Sequence, residues 1–177
     1  LAEARSLVAE TRGAYLELRH LTPVAHEALQ APARSHSRFI LPLLADPVQH
    51  LRELGWKNRN QINHATKLGL RVEESQDVSR LYPIHVHTAR RQGTPCFPRR
   101  YFDGIVREFP KEARILFVKH QDRTIAFSLL LLFKDTLLSQ FSGSYADTYK
   151  LRPNEWLFWN ILQHGCANKM KIFDYGR

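Results

Sequence analysis

Cysteine is scarce in this chain: Cys96 and Cys166 are the only two among 177 residues, and they stand far apart. No Cys-x-x-Cys pair occurs, which excludes a disulfide scaffold and a structural zinc site and suits a reducing, cytoplasmic setting. Long apolar runs are missing too. The longest, Ile125 to Phe133, is interrupted by Ser128 and flanked by Arg123 and Lys134, well short of the roughly 20 residues that span a bilayer. Short-period repeats and low-complexity tracts are absent. So are the usual signs of covalent catalysis. Neither cysteine has a base in sequence context, and Ser142-Gly143-Ser144 does not sit in the strand-to-helix turn that exposes a hydrolase serine. His85 and His87 stand two apart on a helical segment and point in different directions, so no metal site is expected.

Acidic residues are also few, 17 against 26 Lys and Arg, which leaves a formal net charge of +9. Such a surface attracts an anionic partner: a nucleic acid, a phosphate-bearing substrate or acidic lipid headgroups. With 44% hydrophobic and 11% aromatic residues the chain can build a real core, and general disorder is excluded.

The pattern along the chain predicts a helix over 2–11, broken at Gly13, and then a strand from Ala14 to Arg19. Leu21 to Ser37 reads as an exposed connection, and Phe39 to Leu44 as a second strand. Asp46-Pro47 starts a helix that runs, with a break at Gly55, to Lys67, where Gly69 supplies a left-handed stop. On this helix Trp56 and Ile62 are expected to be buried. Asp77 caps another helix through Arg91, in which Pro83 is expected to produce a kink or a shifted start. A short helix from Arg99 to Phe109 precedes a meander of three strands, 115–120, 124–133 and 137–142. Pro153 opens a last helix through Asn168, and Ile172 to Tyr175 is a strand. Helices, then a meander, then helix and strand indicate an α+β, or mixed α/β, domain.

Several side chains stand out. Asp174 and Arg177 lie at a strand end with Gly176 between them. Arg177 can bind a phosphate or carboxylate through two N–H groups while Asp174 orients it or an amine, or the two form an ion pair closing the sheet. Lys57, Arg59, Asn60, Asn63, His64 and Lys67 give the 46–67 helix a polar side that can grip phosphates or a glycan, or simply face solvent. Between Val78 and Phe102 come Arg80, Arg90, Arg91, Arg99 and Arg100, a set able to dock tRNA or a pyrophosphate-linked lipid precursor. Arg152, Pro153 and Asn154 open the final helix, whose first N–H groups form an intrinsic anion seat. Trp156 and Trp159 on that helix belong to the core or to the edge of a pocket. Tyr145 and Tyr149 lie near the same mouth, to pack or to donate a proton.

Three segments in order resemble the FemAB-type peptidoglycan-bridge transferases and their relatives among the GNAT-like acyltransferases. Trp56-Lys57-Asn58-Arg59-Asn60-Gln61-Ile62-Asn63-His64-Ala65 with Gly69 is similar to the family's K-x-R-x-x-I-x-x-A-x-x-x-G helix and turn. Thr88-Ala89-Arg90-Arg91-Gln92-Gly93-Thr94-Pro95 resembles its T-x-R-R-x-G-x-P turn. Phe173-Asp174-Tyr175-Gly176-Arg177 resembles its closing F-D-F-G-R strand. The similarity covers residues 46–177, and the subtype it best resembles is the short, arm-less bacterial form. It implies a GNAT-like domain with a central, mostly antiparallel sheet flanked by helices. Residues 1–45 are then the remnant of a preceding GNAT-like lobe and 46–177 a second lobe, in a chain expected to be a fragment lacking residues at both ends.

In function, the resemblance implies transfer of an activated acyl or aminoacyl group to an amine of a cell-envelope precursor. The donor is aminoacyl-tRNA or an acyl-CoA and no cofactor is tightly bound. Asp174, Arg177 and Tyr145 are the candidates for catalysis. Lys57, Arg59, Arg90, Arg91, Arg152, Asn154 and Trp159 are the candidates for binding substrate or donor. The R/Q-x-x-G-x-G/A pyrophosphate loop of acetyl-CoA-dependent GNAT domains is missing, and Lys150-Leu151-Arg152-Pro153-Asn154 occupies its place. The basic surface also allows peripheral contact with a membrane. The rival expectation is a basic RNA-binding or scaffolding module without catalysis.

Overall fold

A computed structural model of the chain describes residues 2–17, 25–27, 29, 30 and 37–176. The chain divides into two compact units, residues 1–35 and residues 36–177. In the first, helix α1 (Ala2–Thr11) is the regular element among the described residues. Of the strand expected over 14–19, residues 14–17 are not in strand conformation, and Leu18 and Arg19 lie outside the described residues. Alternation of apolar and polar side chains gives no strand where no neighbouring strand takes up its backbone groups.

The second unit carries a six-stranded sheet in the order β1-β6-β5-β4-β3-β2. Its elements are β1 (Ile40–Pro42), α2 (Pro47–Glu53), α3 (Trp56–Lys67), β2 (Arg71–Glu74), α4 (Val78–Gln92), α5 (Arg99–Glu108), β3 (Ala113–His120), β4 (Arg123–Phe133), β5 (Thr136–Ser144), a 3-10 helix (Ala146–Leu151), α6 (Pro153–Ala167) and β6 (Ile172–Asp174). Every neighbouring pair is antiparallel except β5 and β6, which are parallel. The expected α+β domain with a mostly antiparallel sheet is the observed one.

Local chemistry sets the boundaries. Asp46 caps α2 by accepting from the Val48 N–H at 2.8 Å, and Asp77 caps α4 through the Ser79 N–H at 2.9 Å. Helix α4 keeps its expected start and runs on through Pro83. Strand β1 is shorter than expected and ends at Pro42, which has no N–H for a ladder. Strand β2, polar Arg71-Val72-Glu73-Glu74, forms because it pairs with β3 from Leu116 to Lys119, a long-range contact that composition does not reveal. Trp56 was expected to be buried but is 72% exposed, because it opens α3 at a free corner; Ile62 is buried as expected.

Helices cover both faces of the sheet. On one, α3 and α6 pack Ile62, Ala65, Leu157 and Ile161 against Val118, Leu130, Leu137 and Phe173. On the other, α4 and α5 pack Leu81, Ile84 and Phe102 against Ile115, Phe117, Phe127 and Leu129. Gly143 lets α4 approach β5 closely: an added Cβ would sit 2.6 Å from Thr88 Oγ1 and 3.0 Å from Phe127 Cε1. Gly143→Ala is expected to destabilise the fold by about 1–3 kcal/mol through overpacking. Gly104→Ala on α5, where a Cβ meets nothing within 4 Å, should be neutral or stabilising by about 0.5–1 kcal/mol. Thermal melts of the two variants check the contrast.

Candidate active site

The two parallel strands, β5 and β6, meet over a short stretch. β6 pairs with β5 only at Thr136, Leu137 and Leu138, whereas β5 continues to Ser144. Among the described residues no strand pairs with Ser139–Ser144 on that side. The break coincides with two local features. Gly176, just past β6, takes a φ of +78°, and a Cβ there would lie 3.2 Å from the Ser139 carbonyl oxygen. In β5, the register with β4 shifts between Leu129 and Leu130, which face Phe141 and Ser139, so Gln140 is an extra residue, a β-bulge. Beneath it the Ser128 and Ser139 hydroxyls hydrogen-bond at 3.0 Å in the core.

The bulge decides which main-chain groups face the fork. The Tyr145 N–H donates to the Ile125 carbonyl, so in the antiparallel ladder Gly143 and Phe141 also turn toward β4. Ser142 and Ser144 therefore turn their N–H and C=O groups the other way, to the open edge. Ser142 is exposed; Ser144 is buried. Because β5, the 3-10 helix, α6 and β6 form one parallel crossover, α6 begins at the open end of β5. Ligands of parallel pairs characteristically bind at that end, beside a helix N-terminus.

A cavity of about 350 Å³ adjoins this edge, lined by His85, Thr88, Ala89, Gln92, Thr94, Pro95, Phe97, Phe141 and Ser142. It lies between α4, the segment after it, and β5. His85 is buried among rings, with the Phe102 centroid at 4.7 Å, Phe141 at 5.8 Å and Phe97 at 6.4 Å. Its burial holds the imidazole below the usual histidine pKa, and so neutral at pH 7. His85 Nε2 and Thr88 Oγ1 are buried without a hydrogen-bond partner among the described residues.

Around the 3-10 helix two arginines lie over tyrosine rings, Arg123 over Tyr145 at 4.8 Å and Arg91 over Tyr149 at 5.3 Å. Arg123 also pairs with Asp147 at 2.8 Å, which lowers the Asp147 carboxyl pKa and raises that of the guanidinium. The Ala146 N–H donates to His87 Nε2 at 3.3 Å, tying the 3-10 helix to α4. Arg152 caps α6 in the left-handed region, φ 60°, with its guanidinium 3.8 Å from Glu155. On the opposite face of the sheet, a smaller hollow of about 190 Å³ is lined by Leu54, Asn58, Ile62, Asn154, Glu155, Phe158, Trp159 and Leu162.

The sequence candidates thus fall into separate places. Tyr145, Arg91 and Arg152 stand along the chain leaving the open end of β5, and exposed Arg90 neighbours Arg91 on α4. Asn154 and Trp159 line the smaller hollow. Lys57 is exposed on α3, and the Arg59 guanidinium donates to the Arg52 carbonyl at 2.8 Å. Asp174 is buried at the last rung of the β5–β6 ladder. It pairs with Arg38 and accepts the Gly176 N–H at 2.9 Å. Arg177 lies outside the described residues. The sequence reading weighed His85 as a metal ligand and as part of the basic stretch, took Thr88 and Phe97 only as part of the T-x-R-R-x-G-x-P motif, and gave Phe141 no role in a site. The spacing of His85 and Thr88, three apart on one helix face, was the available signal.

A bulged strand paired with a parallel neighbour through a helical crossover, with helices on both faces of the sheet, is the arrangement of the GNAT fold. Residues 56–177 match the acetyltransferase (GNAT) domain family, and the chain belongs to that family. Among solved structures it is similar to FemX, with 13% identity and a TM-score of 0.72 over 78% of this chain and 52% of that one. It is also similar to L-PGS from Bacillus licheniformis, with 14% identity and a TM-score of 0.57 over 78% of this chain and 45% of that one. The chain therefore spans about half the length of the solved structures it matches. No curated protein matches the sequence. No described helix is long and apolar enough to cross a membrane, and no cluster of metal-ligating side chains occurs among the described residues.

The neutral histidines make stability depend on pH. His85 and His164 both titrate below the ordinary value because they are buried, so the unfolded chain takes up protons first. Their contribution is complete above about pH 6.5 and is lost as pH falls below it toward the folded values. Denaturant unfolding from pH 7.5 to 5 should show this decline, made shallower by His85→Gln and shallower again with His164→Gln added.

Proposed function

We propose that this chain transfers an activated acyl or aminoacyl group to an amine, using the fork between β5 and β6 as the reaction slot. The observation that carries the reading is the outer edge of β5 beyond Leu138, which no described strand pairs with and which is bulged so that the Ser142 N–H turns away from β4. A thioester or ester carbonyl entering there accepts that N–H. As an amine attacks the carbonyl carbon, a C–N bond forms and negative charge collects on the oxygen, where a fixed donor is most effective. The tetrahedral intermediate then collapses, the C–S or ester C–O bond breaks, and the leaving group takes up the proton the amine loses. Catalysis by positioning needs no nucleophile–base pair in the protein.

Donors of two kinds suit the slot, aminoacyl-tRNA and acyl-CoA, and both carry phosphates. Arg152 and Asn154 at the start of α6, with Arg90 and Arg91, are the groups we assign to them; Lys57 and Arg59 extend the basic surface. In place of a glycine-rich nest the chain has a 3-10 helix and an arginine cap, so side chains take the larger share of phosphate binding. Asp174, held by Arg38 and the Gly176 N–H, fixes the fork, and Tyr145 flanks its mouth. The likeness in fold to FemX, together with the motifs quoted above, supports an acceptor among bacterial cell-envelope precursors, modified in the cytoplasm or at the membrane surface. On this reading residues 1–45 end a first lobe of the same kind and lend β1 to the sheet of the second, 46–177.

Ser142→Pro tests the slot directly. It deletes an N–H that faces away from β4, so the β4–β5 ladder keeps its bonds. With aminoacyl-tRNA or acyl-CoA as donor, kcat should fall about 10²- to 10³-fold while KM for the donor changes little. Wild-type kcat in a folded Ser142→Pro variant contradicts the reading, as does equal binding of uncharged RNA of any sequence without acyl transfer.

A further inference from the structure

We propose that the outer surface of α5, together with the exposed chain that leads into it, docks on an anionic phospholipid bilayer. Tyr101 and Phe109 seat among the headgroups, and Arg100 and Lys111 pair with lipid phosphates. The inference goes beyond the transfer reading and does not depend on it.

Three observations carry it. First, exposure and charge of one sign coincide. Residues 90–101 are exposed without interruption, and they hold Arg90, Arg91, Arg99 and Arg100 but no acid. Arg107 and Lys111 are exposed farther along. Two acids of this surface are engaged locally, Asp103 with Arg99 at 3.6 Å and Glu108 with Arg107 at 2.9 Å, and Glu112 follows at its far end. Arg90, Arg100 and Lys111 pair with no carboxylate among the described residues. Cations left over in this way are drawn to an anionic leaflet, each strengthening binding about fivefold.

Second, large apolar rings project from the same surface. Phe97, Tyr101 and Phe109 are 43%, 39% and 50% exposed, and they bracket the ten residues of α5. Single exposed apolar side chains are ordinary, but three around one short helix, interleaved with arginines, make a patch. Rings beside long cationic side chains suit a membrane–water interface, where the ring enters the acyl boundary and the guanidinium reaches back to the phosphates. Phe102 is fully buried against the sheet and fixes α5, so the surface is preformed and docking orders little.

Third, the rings favour lipid over RNA, the other polyanion that a basic surface attracts. Phe97 and Tyr101 stack on each other at 4.8 Å, which covers one face of each, and Phe141 stands edge-on to Phe97 at 5.4 Å. A nucleic-acid base needs an open ring face. Neither phenylalanine has a polar atom for a base edge. A hydrocarbon boundary requires neither feature.

The test is sedimentation of the full chain with vesicles of phosphatidylcholine alone and of a two-to-one mixture with phosphatidylglycerol. At low salt the mixture should bind at least about tenfold more tightly, and high salt should weaken this binding without abolishing it. With spin-labelled lipid in the mixture, the amide signals of Arg100, Tyr101 and Phe109 should broaden, while those of α3 and α6, on the opposite face of the sheet, stay sharp. Arg100→Gln and Lys111→Gln should each cost about fivefold. Tyr101→Ser combined with Phe109→Ser should remove the binding that survives high salt. Arg90 and Arg91, assigned above to donor phosphates, stay in place in all these variants. Equal binding to both kinds of vesicle, binding to neither, or broadening centred on α3 and α6 overturns the proposal on the wild-type protein alone. Uncharged RNA that shifts Arg100 and Tyr101 where vesicles leave them unmoved overturns it in favour of RNA. The two readings fail separately. Acyl transfer from a soluble donor to a soluble amine needs no bilayer, and Ser142→Pro should leave vesicle binding unchanged.

Discussion

The rest of the structure is arranged around the outer edge of β5. Three rungs join it to β6, and among the described residues Ser139–Ser144 pair with β4 alone. Main-chain donors at a sheet edge are ordinarily a liability, open to pairing with another chain. Here helices pack on both faces of the sheet, and the 3-10 helix and α6 follow from the end of that edge. The bulge at Gln140 adds the second constraint. Without the extra residue, Phe141 and Gly143 would fall on the α6 side. With it, both turn to α4, where Gly143 allows the close approach to Thr88.

Charge is sorted by place as much as by amount. The excess of Lys and Arg lies on the surface, and several arginines are already engaged with acids or rings: Arg80 with Glu73, Arg114 with Glu74, Arg123 with Asp147 and Tyr145. Exposed pairs of this kind contribute little to stability. What they do is set a positive field outside a cavity that holds no formal charge of its own. On the proposed reading an anionic donor is attracted to this rim, while the groups that meet at the slot carry no formal charge.

Much of this organisation was legible in the residues. Asp46-Pro47, Gly69 and Asp77 marked helix ends because capping is local chemistry, and the meander showed in its long apolar alternation interrupted by Gln121-Asp122 and Lys134-Asp135. The family match rests on motifs of the same local kind. Less local features escaped. The polar strand β2 exists only because β3 offers it an edge, and the exposure of Trp56 follows from its place at a corner. The bulge at Gln140 has no signature in Leu138-Ser139-Gln140-Phe141, since a register shift belongs to two strands at once. Asp174 stood out in the sequence, but its partner Arg38 is remote along the chain and is brought beside it by the pairing of β1 with β6.

The central claim is that the outer edge of β5 is open in the free protein and is occupied by an acyl donor. Amide hydrogen exchange reads this at single residues. The account predicts fast exchange at Ser142 beside slow exchange at Phe141 and Gly143, and marked slowing at Ser142 when a non-hydrolysable acyl-CoA or aminoacyl-tRNA analogue binds. Equal protection of all three amides in the free protein, or no change at Ser142 with donor bound, would contradict it.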